Sequence, residues 1–127
     1  MHIKKLLITA LSALILALIL IAGIMWRTTS APTEILTSSS EDGNYSLTIY
    51  MIGEPEWPFG PTHCRCDLFL NDKKLIEHQF SIQNDGAIAN ESNFEIIWNT
   101  DSALLIVSGS EQSDAVHLLN FDGTIEQ

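Results

Sequence analysis

Basic residues are scarce in this sequence, especially beyond its first quarter. Six Lys and Arg stand against 16 Asp and Glu in the whole chain. From Thr28 onward, three basic residues (Arg65, Lys73 and Lys74) face all 16 acidic ones, a formal difference of −13. A field of this sign opposes binding to nucleic acid and to anionic lipid headgroups, and it favours cations or basic partners. We therefore expect no nucleic-acid partner, although the same charge also serves simply to keep a small domain soluble.

Cysteine is scarce too, with Cys64 and Cys66 as the only two in the chain. On a strand, this spacing puts both thiols on one face, with Cα atoms roughly 6.5 to 7 Å apart, at the limit of disulfide geometry. We expect two small, buried, unpaired side chains. A zinc or copper site is the alternative, with imidazoles from His63, His78 or His117, but one Cys-x-Cys is a weak metal signal. We expect no metal and no cofactor.

Catalytic motifs are missing. The sequence has no G-x-S-x-G, H-E-x-x-H, Walker or dinucleotide-binding pattern, and no EF-hand spacing. We therefore expect that the chain is not an enzyme; a hydrolase is a remote alternative that would need a nucleophile and a base brought together by the fold. A second alternative is a cation-responsive domain, in which Asp85, Glu91 and neighbouring Asn side chains supply oxygen ligands.

A long apolar segment is the clearest positive feature. Residues 6–26, which begin at Leu6 and end at Trp26, contain no charged residue, Pro, Asn or Gln. About 20 apolar residues in a helix span a hydrocarbon core of roughly 30 Å. Lys4 and Lys5 precede the segment and only Arg27 follows it closely, which predicts a cytoplasmic N-terminus. The sequence thus predicts a single-pass cell-membrane protein whose C-terminal part is extracytoplasmic.

A signal peptide has a similar layout, so retention of the helix is a separate question. The apolar run exceeds the roughly 7 to 15 residues of a signal h-region, and Trp26 with Arg27 suits a membrane interface. Thr29, Ser30 and Ala31 resemble a cleavage site, but Pro32 follows directly. We expect a retained anchor over residues 1–27, with cleavage and release as the alternative.

The remainder divides into a stalk and one small domain. Residues 28–40 are rich in Ser and Thr and predict a stalk. Residues 41–127 predict an extracytoplasmic all-β domain, a small antiparallel meander of about six strands that forms a partial barrel or a sandwich. Alternating apolar residues and turn sequences place the strands at residues 45–52, 63–70, 75–82, 94–98, 103–108 and 115–121. The strand at 103–108 is nearly all apolar and predicts burial on both faces.

Three segments carry a resemblance to a known layout: residues 40–45 (SEDGNY), 53–60 (GEPEWPFG) and 84–86 (NDG). Together they resemble an uncharacterised family of small bacterial single-pass membrane proteins with an extracytoplasmic β domain. The likeness covers roughly residues 38–121. It implies the fold and the membrane topology, and it implies no activity and no functional residue.

The most distinctive segment of the domain is the aromatic loop, residues 53–61, which holds three prolines and two large aromatic residues. Proline limits the conformations of the loop, so Trp57 and Phe59 could be presented as anchors for a partner. Glu54 and Glu56 would then face a basic surface. In the other interpretation, both rings fold back over an open end of the sheet and add to a small core.

Taken together, these features predict a membrane-anchored binding or accessory module. The lipid bilayer contacts the segment from Leu6 to Trp26, and a protein is the expected partner of the β domain. The candidate partner-binding residues are Glu54, Glu56, Trp57 and Phe59.

Overall fold

The structure, a computed structural model, describes residues 1–29 and 31–127. It forms two units, Met1–Ala31 and Pro32–Gln127. The elements are α1 (His2–Thr29), β1 (Pro32–Ser39), β2 (Tyr45–Ile52), β3 (Thr62–Leu70), β4 (Lys73–Ile82), a 3-10 turn (Glu91–Asn93), β5 (Phe94–Trp98), β6 (Ser102–Val107), β7 (Ala115–Asn120) and β8 (Ile125–Glu126).

Helix α1 contains the apolar run that the sequence predicts to cross a membrane. Within its stretch His2–Arg27, the most apolar 18 residues have a mean hydropathy of 2.8, and the stretch is long enough to span a bilayer. A signal sequence near an N-terminus satisfies the same criteria of length and composition. Of the cleavage-like sequence, Ser30 lies outside the described residues.

The second unit is all-β, as predicted, and consists of two four-stranded antiparallel meanders. One sheet has the order β1-β2-β3-β4, and the other has the order β5-β6-β7-β8. Short turns join some neighbouring strands; for example, Gly43 (φ 75°) lies in the turn between β1 and β2, and Asn71 (φ 51°) lies in the turn between β3 and β4. The described residues thus form eight strands in two separate sheets, where the sequence predicted about six.

Both sheets contribute to one hydrophobic core. Alternation along β2 buries Leu47 and Ile49, and alternation along β3 buries Cys64, Cys66 and Leu68. The second sheet adds Phe94, Leu105, Val107 and Leu119 to the same cluster. Side chains at alternate strand positions therefore hold the two sheets together, and the connecting loops remain at the ends of the strands.

The predicted stalk differs most from the structure. Residues 32–39 form β1, which pairs with β2 from Pro32↔Ile52 to Ser39↔Ser46. A bulge between Glu34 and Leu36 breaks the period-2 pattern, so the adjacent Ile35 and Leu36 both pack against the core. As an edge strand with few buried side chains, β1 tolerates the Ser and Thr residues that the sequence analysis assigned to a stalk.

Strand β6 differs from its prediction, and strand β8 was not predicted. In β6, Leu105 and Val107 are fully buried, whereas Leu104 and Ile106 are half-buried, so one face of this strand carries most of the burial. Strand β8 has two residues and pairs with β7 through Leu119↔Ile125. A two-residue strand is too short for an alternating pattern to show in the sequence.

Candidate functional site

The aromatic loop leaves the end of β2 and returns at the start of β3 in a shape fixed by its own backbone. The Glu56 N–H donates to the Pro61 carbonyl at 3.1 Å, and the Gly60 N–H donates to the Glu56 carbonyl at 2.7 Å. A Cβ on Gly60 would lie 2.5 Å from the Glu56 Cβ, so this turn requires glycine. The peptide bond between Trp57 and Pro58 is cis.

A second loop, residues 83–90, packs against the aromatic loop. Gly86 has a φ of 71°, and a Cβ built on it would lie 2.9 Å from the Pro58 carbonyl oxygen. The Thr62 hydroxyl, which is fully buried, donates to the Ala87 carbonyl at 3.0 Å. The aromatic loop is therefore supported from one side by backbone of the β4–β5 connection.

The two aromatic side chains of this loop are exposed, which contradicts the interpretation in which they fold back over the sheet. Trp57 is 92% exposed and Phe59 is 68% exposed. Ile88, two residues beyond Gly86, is 59% exposed. Among the large apolar side chains of Pro32–Gln127, these three are the ones more than half exposed. We call Trp57, Phe59 and Ile88 the apolar tip.

The two predicted acidic contacts differ in their surroundings. The carboxylate of Glu56 accepts from Nε2 of His63 at 2.9 Å, and Nδ1 of the same ring lies 3.0 Å from the Ser81 hydroxyl. Glu56 therefore ties the aromatic loop to β3 and β4, a role that the sequence did not predict. Glu54 is exposed, and the structure gives it no hydrogen bond or ion pair among the described residues.

The cysteines are buried and unpaired, as the sequence predicts. Burial raises the pKa of each thiol to about 12; for Cys66 the carboxylate of Asp67 adds to this effect. Such thiols are protonated at neutral pH and are therefore poor nucleophiles. His63 lies on the other face of β3, as expected from its position.

His78 and His117 meet between the two sheets, where His78 is half-buried and His117 is buried. Nε2 of His78 lies 3.1 Å from Nδ1 of His117, and Phe80 stands beside both rings. Burial lowers the pKa of both imidazoles, and the neighbouring His78 lowers that of His117 further. The pair therefore favours the neutral form of each ring.

The candidate cation ligands do not cluster among the described residues. Within residues 1–29 and 31–127, no three His, Cys, Asp or Glu side chains are grouped so as to hold a metal ion. Asp85 and Glu91 are exposed, and Asn84 uses its side-chain oxygen to accept from the Ser110 N–H at 3.0 Å. Cation response stays a prediction, which melting curves with added Ca²⁺ or Zn²⁺ would check.

The other end of β2 carries a feature that the sequence analysis missed. A shallow cleft of about 670 Å³ is lined by Ser40, Glu41, Asp42, Tyr45, Trp98, Asn99, Thr100 and Phe121. Tyr45 and Phe121 stack with ring centroids 3.7 Å apart, and Trp98 lies 6.4 Å from Phe121. We call these three residues the aromatic cluster. They are far apart in the sequence, so no local pattern could indicate that they meet.

Comparison with protein-family models, with curated proteins and with solved structures finds no match for this chain. The resemblance to small bacterial membrane proteins therefore stays a prediction. The interpretation of the site depends on its own geometry, in which the apolar tip is the outstanding surface feature.

Proposed function

We propose that this chain is a membrane-anchored, extracytoplasmic binding module, and that the aromatic loop contacts a protein partner. Trp57 and Phe59 are the anchor residues, and Glu54 faces basic side chains of the partner. Glu56 acts mainly by holding the loop through His63. The proposal assigns binding rather than catalysis to the domain.

The observation that carries the proposal is the 92% exposure of Trp57 in a loop of fixed shape. Exposing a large apolar ring to water is unfavourable, since burial of such a side chain stabilises by about 1.5 to 3 kcal/mol. Backbone hydrogen bonds within the loop and the packing of Gly86 limit the entropy that binding would cost. Exposed aromatic residues in a preorganised loop are typical anchors of protein interfaces.

The anchor and its orientation form the second part of the proposal. Helix α1 has the length and hydropathy of a membrane span. With Lys4 and Lys5 on the cytoplasmic side, the β domain lies outside the cytoplasmic membrane. There, its charge of −13 from Thr28 onward favours basic partner surfaces over nucleic acid.

The test is crosslinking in cells followed by affinity recovery of the full-length protein and of a Trp57→Ala variant. We expect wild type to recover a partner that the variant loses. The variant must be folded and as abundant as wild type. Val116→Ala is the matched control, because Val116 is 47% exposed on β7, outside the aromatic loop. Equal recovery of the partner by wild type and Trp57→Ala would contradict the proposal.

A further inference from the structure

We infer that the partner of the aromatic loop is a protein embedded in the same membrane, with basic side chains beside an apolar recess close to the bilayer surface. This inference rests on the proposed function, since it names the class of partner for the same loop. It follows from where the chain enters the β domain, from the size of the apolar tip and from charge.

The position of the loop along the chain favours a partner near the membrane. Four residues separate Arg27, at the end of the predicted span, from Pro32, the first residue of β1. Pro32 pairs directly with Ile52, the last residue of β2, and the aromatic loop begins at the next residue. The end of the β1–β2 pair that carries the aromatic loop is therefore also the end where the chain arrives from helix α1.

Chain length then limits how far the loop can lie from the membrane. Extended chain covers at most about 3.6 Å per residue, so Pro32 lies within roughly 18 Å of Arg27. From Pro32, the path to Trp57 crosses about 5 Å to Ile52 and then covers five more residues. Full extension therefore limits the distance between Arg27 and Trp57 to roughly 40 Å. Along β1, the turn at residues 40–44 lies eight strand residues from Pro32, or about 27 Å.

The size of the contact favours a partner confined to the same membrane. A buried Trp or Phe contributes roughly 150 to 250 Å². Trp57 and Phe59 together therefore provide less than the ~800 Å² per partner of a standard protein interface. A contact of this size is weak for a partner free in solution. A partner confined to the same membrane meets the loop at a high effective concentration, which compensates for the small area.

The charge of the β domain favours a basic protein partner over the lipid surface and over a second copy of the chain. The β domain is strongly acidic, and the exposed Glu54 precedes Trp57 of the apolar tip by three residues in the sequence. Anionic headgroups would repel this surface, and another copy of the chain would bring an equal negative charge. Lys and Arg side chains near the membrane surface of another protein complement it.

The experiment places the photoreactive residue p-benzoylphenylalanine at position 59 of the full-length protein, in intact membranes. This change keeps an aromatic ring at the tip and leaves Trp57 in place. A second form also carries eight EAAAK repeats inserted after Ala31, a semi-rigid spacer of about 60 Å that lifts the loop away from the bilayer. A third form carries the same repeats after Gln127, and the photoreactive residue at position 116 controls for nonspecific capture.

We expect position 59 to crosslink to a protein that has its own membrane span. The spacer after Ala31 should reduce this adduct by about tenfold or more, whereas the C-terminal spacer should leave it unchanged. The adduct should be absent with the probe at position 116.

Other outcomes overturn the inference in distinguishable ways. A protein adduct that survives the spacer after Ala31 would retain the proposed function but remove the requirement for a shared membrane. An adduct with lipid alone, or no adduct at position 59, would overturn both proposals. An adduct of twice the chain's mass would identify a second copy of the chain and overturn the inferred basic partner.

Discussion

The two ends of strand β2 use aromatic residues in opposite ways. At the first residue of β2, the ring of Tyr45 packs with Phe121, which also contacts Trp98, so three separate parts of the sequence meet there. Beyond Ile52, the last residue, Trp57 and Phe59 stay exposed. The indole of Trp98 is half-buried and donates to the Ser38 hydroxyl at 2.9 Å, whereas Trp57 is exposed over nearly its whole surface.

This difference shows that the presence of aromatic residues does not by itself reveal what a segment does. The aromatic cluster joins the two sheets, since Tyr45 lies on β2 and Trp98 lies on β5. The apolar tip contributes no residue to the hydrophobic core. We therefore expect changes at the cluster to alter stability and changes at the tip to alter binding.

The largest expected effect is that of Trp98→Ala, which removes one member of the aromatic cluster. Truncation of a packed Trp costs about 3 to 5 kcal/mol in a core, and we expect about 2 to 3 kcal/mol here because Trp98 is half-buried. Urea unfolding of the full-length protein in detergent micelles would measure the free energy of unfolding. Trp98→Phe is the control and should retain much of the stability. A loss below about 0.5 kcal/mol for Trp98→Ala would mean that the aromatic residues at neither end of β2 contribute to stability.

A smaller effect is expected for Ser38→Ala. The Ser38 hydroxyl accepts the Trp98 indole N–H and so links β1 to β5. Loss of the acceptor leaves a half-buried donor without its partner, at a cost of about 1 kcal/mol. Ser39→Ala, at the exposed neighbouring position, is the matched control and should stay within about 0.5 kcal/mol of wild type in the same measurement. Equal effects of the two substitutions would mean that the hydrogen bond between Ser38 and Trp98 does not contribute to stability.

The contact between His78 and His117 links the two sheets at a third place, between the two ends of β2, and its contribution to stability should depend on pH. Burial lowers the pKa of His78 and His117 below 6.5 in the folded protein, so the unfolded chain binds protons first as the pH falls. Their contribution is fully present above about pH 6.5 and is lost as the pH drops through the lower, folded-state pKa values. We expect this loss to be small, because His78 is only half-buried and solvent screens its charged form.

Melting temperatures of the full-length protein between pH 7.5 and pH 5 would measure this effect. A variant with His78→Gln and His117→Gln should show a flatter profile over that range than wild type. His63→Gln controls for the loss of a histidine elsewhere, since His63 contacts Glu56 and Ser81 instead. Parallel profiles for wild type and the double variant would show that the pair does not couple folding to pH.

Local sequence patterns predicted much of the fold. Strands β2 and β5 begin and end where alternation and turn residues indicate, because each has a run of β-forming residues between clear turns. Strand β1 was missed because its bulge breaks the alternation and its edge position tolerates Ser and Thr. The sequence also indicated the apolar helix α1, which is long and apolar enough to cross a membrane.

The candidate site was predicted only in part. Three prolines marked the aromatic loop as irregular, but nothing local distinguished a ring packed against the sheet from an exposed one. Exposure depends on what the fold brings beside each ring, and for Trp98 that is Phe121, which is distant in the sequence. The link between Glu56 and His63 was missed for a similar reason, because it forms only when the loop folds back toward β3.

The smallest expected effect on stability, and the sharpest test of the comparison, is that of Trp57→Ala. Because Trp57 is 92% exposed, its removal takes little area out of the folded state, and we expect the free energy of unfolding to change by less than about 0.5 kcal/mol. The same urea unfolding measurement in micelles that detects Trp98→Ala would check this. A stable variant that no longer recovers its partner would separate binding at the apolar tip from packing at the aromatic cluster. A loss of about 2 kcal/mol would instead mean that the indole supports the loop, and any lost binding would then follow from lost structure.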